Sequence, residues 1–138
     1  MADIVAFPRE AEPRHTVLVV DDEPAIRAVL CEYLRDCGFQ PLSAATGDEA
    51  VQVIQREATI DLVFSDVRMP GEIDGYGLAR WIMENRPQLP VLLITGDLGK
   101  ANAAAELCGA QTMAKPYDFE MLARKIRETL ARSRTRSA

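Results

Sequence analysis

From Thr16 onward the chain alternates five times between a short apolar run and a segment with helical spacing. The runs lie at Val17–Val20, Phe39–Ala44, Leu62–Phe64, Val91–Ile94 and Gln111–Ala114. Such runs are too short for amphipathic helices, and most lack polar alternation, so they read as strands buried on both faces. Strands that alternate with helices pair in parallel through right-handed crossovers, with helices covering the sheet. The predicted architecture is a three-layer α/β/α domain. Four of the runs end in chemically capable residues: Asp21-Asp22, Asp66 (after Ser65), Thr95, and Lys115-Pro116. In an open parallel sheet the ligand crevice lies beyond the carboxyl ends of the strands. Three carboxylates, a hydroxyl and an ammonium should therefore converge on one edge.

The helical segments carry their own signals. Pro24 suits a first helical position, and Gly38 a C-terminal stop. Between them Ile26, Val29, Leu30, Tyr33, Leu34 and Cys37 form the predicted inner face. Thr46 and Glu49 make a potential capping box for a second helix facing inward through Ala50, Val53 and Ile54. A third helix, over 75–85, turns Leu78, Trp81 and Ile82 inward and stops before Pro87. A fourth, over 100–108, is Ala-rich, with high propensity and little bulk. Asp118 caps the last, in which Met121, Leu122, Ile126 and Leu130 face the core.

The 138 residues fit one domain, with 48% apolar and 27% charged residues. Residues 1–15, with Pro8 and Pro13, read as a flexible leader, and residues 133–138 as a basic flexible tail. The net charge of −5 argues against nucleic-acid or anionic-membrane partners. Cys31, Cys37 and Cys108 show no C-x-x-C spacing and suit a reducing cytoplasm. No signal pattern or membrane-length apolar run is present, so a cytoplasmic location is expected. His15, in the leader, is expected to be inert.

Two like charges about 4 Å apart cost about 4 kcal/mol at an effective dielectric near 20. Asp21, Asp22 and Asp66 cannot stay ionised and adjacent unless one takes a proton or a cation joins them. Lys115 supplies one positive charge, and the donors on offer are oxygens, which suits Mg²⁺. A carboxylate beside Mg²⁺, a lysine and a hydroxyl is arranged for phosphoryl transfer through an aspartyl phosphate. Asp66, alone at the end of its strand, is the preferred nucleophile. The pair Asp21-Asp22 is better suited to the metal.

These residues resemble the response-regulator receiver domain of two-component signalling. The matching pieces are Asp21-Asp22-Glu23-Pro24, Asp66 through Met69-Pro70 with Asp74-Gly75, Thr95-Gly96, and Lys115-Pro116-Tyr117, and the likeness covers residues 16–132. The resemblance implies a flavodoxin-like (βα)5 fold with sheet order 2-1-3-4-5. It implies phosphorylation of Asp66 by a histidine kinase or histidine phosphotransfer protein, assisted by Lys115 and Thr95. It implies Mg²⁺ held by Asp22, Asp66 and the Arg68 backbone carbonyl, with Asp21 acting through water, and a cis Lys115–Pro116 bond. The signal would pass through the face of helix four, strand five and helix five to a downstream protein. The protein would be a stand-alone signalling receiver that assists only its own phosphorylation and dephosphorylation, and not an enzyme.

The chain also departs from the family pattern. Thr112 stands where many receivers carry Tyr or Phe, so the Gly96–Gly99 loop and the fourth helix are expected to carry the switch with Thr95. The Pro70–Asp74 stretch is one residue longer than is common, which resembles receivers of hybrid kinases. Arg68 and Asp97 flank the acceptor and are expected to tune the phosphoryl lifetime, as an ion pair or as separate charges. Two alternatives remain at this level: a phosphorylation-independent binding module, and an aspartyl-phosphate phosphatase of the haloacid-dehalogenase type. The latter uses D-x-D, whereas this chain has Asp66-Val67-Arg68.

Overall fold

A computed structural model describes residues 14–137. The leader residues 1–13, Pro8 and Pro13 among them, and the side chain of Cys108 lie outside the described residues. The elements are β1 (Thr16–Val20), α1 (Pro24–Asp36), β2 (Gln40–Ala44), α2 (Gly47–Arg56), β3 (Ile60–Asp66), α3 (Gly75–Asn85), β4 (Val91–Thr95), α4 (Leu98–Cys108), β5 (Gln111–Ala114) and α5 (Phe119–Ser137). All strand pairs are parallel, and the sheet order is β2-β1-β3-β4-β5, the flavodoxin-like arrangement.

The strands split their side chains between two cores, as a doubly covered sheet requires. Val17, Val19, Phe64 and Ile94 pack against Leu30 and Leu34 of α1 and Leu122, Ile126 and Leu130 of α5. Leu18, Val20, Val63 and Leu93 pack against Ala50 and Ile54 of α2 and Leu78 and Ile82 of α3, with Trp81 half-buried at the margin. Asp61 marks a register shift between β1 and β3, where its Oδ2 accepts a hydrogen bond from the Thr16 N–H at 2.7 Å.

Local signals act largely as the residues suggest. Thr46 accepts from the Glu49 N–H at 3.0 Å, and Glu49 reaches back to the Ala45 N–H, one residue before the cap. Asp118 accepts from the Met121 N–H at 2.7 Å. Gly38 ends α1 with φ of 95°, a backbone state that favours glycine.

Three expectations need correction. In α1, Ile26 and Val29 are 39% and 49% exposed. The buried stripe narrows to Leu30 and Leu34, because the first turn overhangs the carboxyl edge and Ile26 borders a cavity there. In α5, Met121 is 45% exposed, because the face centres on Leu122, Ala123, Ile126 and Leu130, about 100° around the helix. Helical backbone also continues to Ser137, through the segment read as a tail, which holds neither Gly nor Pro to stop it. Among the described residues no helix is long and apolar enough to cross a membrane.

Candidate functional site

The β1, β3, β4 and β5 ends deliver Asp21-Asp22, Asp66, Thr95 and Lys115 to the same edge, as the strand register demands. Lys115 Nζ lies 2.6 Å from Asp66 Oδ2, and the Arg68 N–H donates to Asp66 Oδ1 at 3.0 Å. Both acceptor oxygens are thus held. The Lys115 N–H also bonds the Thr95 carbonyl at 2.7 Å, which ties the ends of β4 and β5 together. The Lys115–Pro116 peptide is cis.

Asp21 is buried, whereas Asp22 and Glu23 are exposed. Burial pushes the Asp21 carboxyl above the ordinary value of 3.8, and a hydrogen bond from the Glu23 N–H opposes that rise. The negative charges of Asp66, Asp22 and Glu23 raise it further. Asp21 is therefore within electrostatic reach of both Asp66 and Asp22. Among the described residues no three acidic, histidine or cysteine side chains converge on one point as a closed metal cage would. A hydrated hard cation fits this donor set: Mg²⁺ takes one or two carboxylates and keeps several waters.

Two cavities flank the Asp66–Lys115 pair. One, about 480 Å³, is lined by Asp21, Glu23, Ile26, Phe64, Pro116 and Tyr117. The other, about 680 Å³, is lined by Arg68, Met69, Asp74, Tyr76, Thr95, Asp97 and Lys100. Thr95 is buried, and its hydroxyl faces its own loop, accepting from the Asp97 N–H at 3.0 Å and donating to the Asp97 carbonyl at 3.3 Å. Asp97 Oδ1 accepts from the Lys100 N–H. No ion pair joins Asp97 to Arg68 among the described residues: the carboxylate is engaged at the start of α4 instead. Thr112 donates from its hydroxyl to Asn102 Oδ1 of α4.

Gly75 explains the Asp74-Gly75 pair. Asp74 caps α3 through the Gly77 N–H at 2.8 Å, and a Cβ on Gly75 would stand 2.6 Å from the Asp66 carbonyl oxygen. Only glycine lets α3 start directly against the Asp66 backbone.

Reasoning from sequence missed several neighbours. Tyr117 packs edge-on against Phe64, and its hydroxyl titrates at about 12, raised by burial and then by Asp21 and Asp66. Arg27 donates to the Asp21 carbonyl at 2.7 Å. Its one signal was a cation in the first turn of a helix, where the dipole disfavours it. Lys100 and Asn102 give no signal beyond polarity in a short helix.

The response regulator receiver domain model matches residues 17–127. A relative named "Probable transcriptional regulator ycf27" from Cyanophora paradoxa is 34% identical over 119 residues, covering 85% of this chain and 48% of that protein. The transcriptional regulatory protein GlrR of Escherichia coli is 35% identical over 124 residues, covering 88% of this chain and 27% of that protein. The chain thus spans about half or less of the length of these curated relatives. The solved receiver domain of NtrX from Brucella abortus superposes with a TM-score of 0.77 at 33% identity, covering 83% of this chain and 98% of that one. A CheY-like receiver domain protein from Methanospirillum hungatei gives 0.83 at 26% identity, over 90% and 99% of the two chains.

Proposed function

The chain belongs to the response regulator receiver family, and on that premise we propose that it is the phosphoacceptor of a two-component system or phosphorelay. Asp66 takes the phosphoryl group from a histidine kinase or histidine phosphotransfer protein. The observation that carries this reading is the Lys115–Asp66 pair at 2.6 Å, set between two cavities with the Asp21-Asp22 pair nearby.

An Asp66 carboxylate oxygen attacks phosphorus in line. The P–N bond to the donor imidazole breaks, and the ring nitrogen leaves with the bonding pair. Lys115 follows the charge onto the phosphoryl oxygens. Asp22, Asp66 and the Arg68 carbonyl are the groups to hold Mg²⁺, with Asp21 acting through water. The cation supplies neutralisation of charge on the transferring group. Thr95 releases the Asp97 carbonyl and donates to a phosphoryl oxygen. That exchange frees the Gly96–Gly99 loop and biases α4, which is tied to β5 through Thr112 and Asn102. The face of α4, β5 and α5 presents the result to a protein partner. Arg68 and Asp97, standing at the mouth as separate charges, tune access of water to the acyl phosphate. The module signals and assists its own phosphorylation and dephosphorylation, in a cytoplasmic setting, without turning over a separate substrate.

Intact-mass measurement after acetyl phosphate and Mg²⁺ tests this reading. One added phosphoryl group is expected, absent without Mg²⁺ and absent in Asp66→Ala. An unlabelled wild-type chain favours a phosphorylation-independent binding module. Turnover of a phosphate ester favours a phosphatase.

A further inference from the structure

The geometry points to Arg27 as the positioning residue of the acidic loop. By holding the Asp21 carbonyl it sets how tightly Asp21 and Asp22 take up a divalent cation, an inference that rests on the reading of the site above. Arg27 lies in the first turn of α1, where the helix dipole disfavours a cation. A specific contact has to offset that cost, and the 2.7 Å bond from Nη1 to the Asp21 carbonyl is such a contact.

The other helix starts show what is unusual here. Thr46, Asp74, Asp97 and Asp118 each accept a backbone N–H at the start of α2, α3, α4 and α5. The loop before α1 offers three consecutive acids, yet Glu23 at the cap position makes no side-chain cap bond. The Asp21 carboxylate accepts from the Glu23 N–H, outside the helix. A carboxylate spent on a helix end is a weaker cation ligand. This loop leaves its exposed acids open and is fastened instead through a main-chain carbonyl. The Asp21 N–H completes the fastening by donating to the Ala44 carbonyl at 3.1 Å.

The sign of one measurement separates this role from a simple charge effect. A guanidinium beside a divalent-cation site repels the cation, so charge alone predicts tighter binding when it is removed. Positioning predicts the reverse. Calorimetric titration of the full chain with MgCl₂ is the test, on wild type, Arg27→Met and Arg27→Lys. Losing such an outer contact weakens metal affinity by about 10- to 100-fold. Arg27→Met is expected in that range, and Arg27→Lys, whose ammonium can reach the same carbonyl, between it and wild type. Unchanged or tighter Mg²⁺ binding by Arg27→Met overturns the inference while leaving the site reading in place. Absence of Mg²⁺ binding by wild type overturns both. If Arg27→Met does not fold, Arg27→Ala is read in its place: affinity equal to or above that of wild type overturns the role.

Discussion

The two halves of the carboxyl edge are built differently. On the β1 and β3 side Asp21 and Asp66 are each fastened to another element. Asp21 is held from β2 and α1, and the Asp66 backbone lies directly against the start of α3. On the β4 side the side-chain bonds of Thr95 and Asp97 stay within residues 95–100. Among the described residues, nothing beyond its chain neighbours lies within 4 Å of a Cβ placed on Gly96. The half that carries Asp21 and Asp66 is braced from outside. The half that carries Thr95 and Asp97 keeps their side-chain bonds local, and the Lys115 N–H and the Thr112–Asn102 pair link it to β5.

The contrast breaks most readily at its glycines. Gly75→Ala forces a methyl to within 2.6 Å of backbone that cannot yield, and is expected to destabilise by about 1–3 kcal/mol in urea titration. Gly96→Ala meets open space and is expected to stay within about 0.5 kcal/mol. Equal costs at the two positions would erase the distinction.

A smaller effect sharpens the account of the loose half. A double-mutant cycle of Thr112→Val and Asn102→Ala is expected to give a coupling of about 1 kcal/mol in stability. In the Asn102→Ala protein, α4 amide signals should move toward their phosphorylated positions before any phosphodonor is added. Thr95→Ala should abolish the phosphorylation-dependent shift. Its persistence in Thr95→Ala would remove Thr95 from the path.

A last expectation concerns Tyr117, which packs on Phe64 of β3. Tyr117 titrates at about 12, above the ordinary 10.0, through burial and the nearby negative charge of Asp21 and Asp66. Because the folded state holds that proton longer than the unfolded one, stability should fall as pH rises between about 10 and 12. Difference absorbance titration of wild type against Tyr117→Phe checks the value.

Much of this was legible in the chain because strand ends are. Apolar runs fix where each strand stops, and a parallel sheet puts those stops on one edge, so Asp21, Asp66, Thr95 and Lys115 followed from pattern alone. The order of the strands did not; it came through the family likeness of the motifs. Helix faces were read less well. Ile26 and Met121 have apolar side chains at helical spacing, but exposure depends on where a helix overhangs its sheet, which spacing does not encode. Arg27 and Asn102 stayed hidden for a related reason. Their partners, the Asp21 carbonyl and the Thr112 hydroxyl, become visible only when the loop and the β5–α4 interface have a shape.

The main-chain bond between Lys115 and Thr95 has a mechanical consequence. The Lys115 ammonium and the Thr95 hydroxyl hang from one stiff bracket, so on the proposed reading neither is carried toward an incoming group by sliding a strand. Adjustment is left to rotation about side-chain bonds, and what travels outward is the set of partners those rotations abandon.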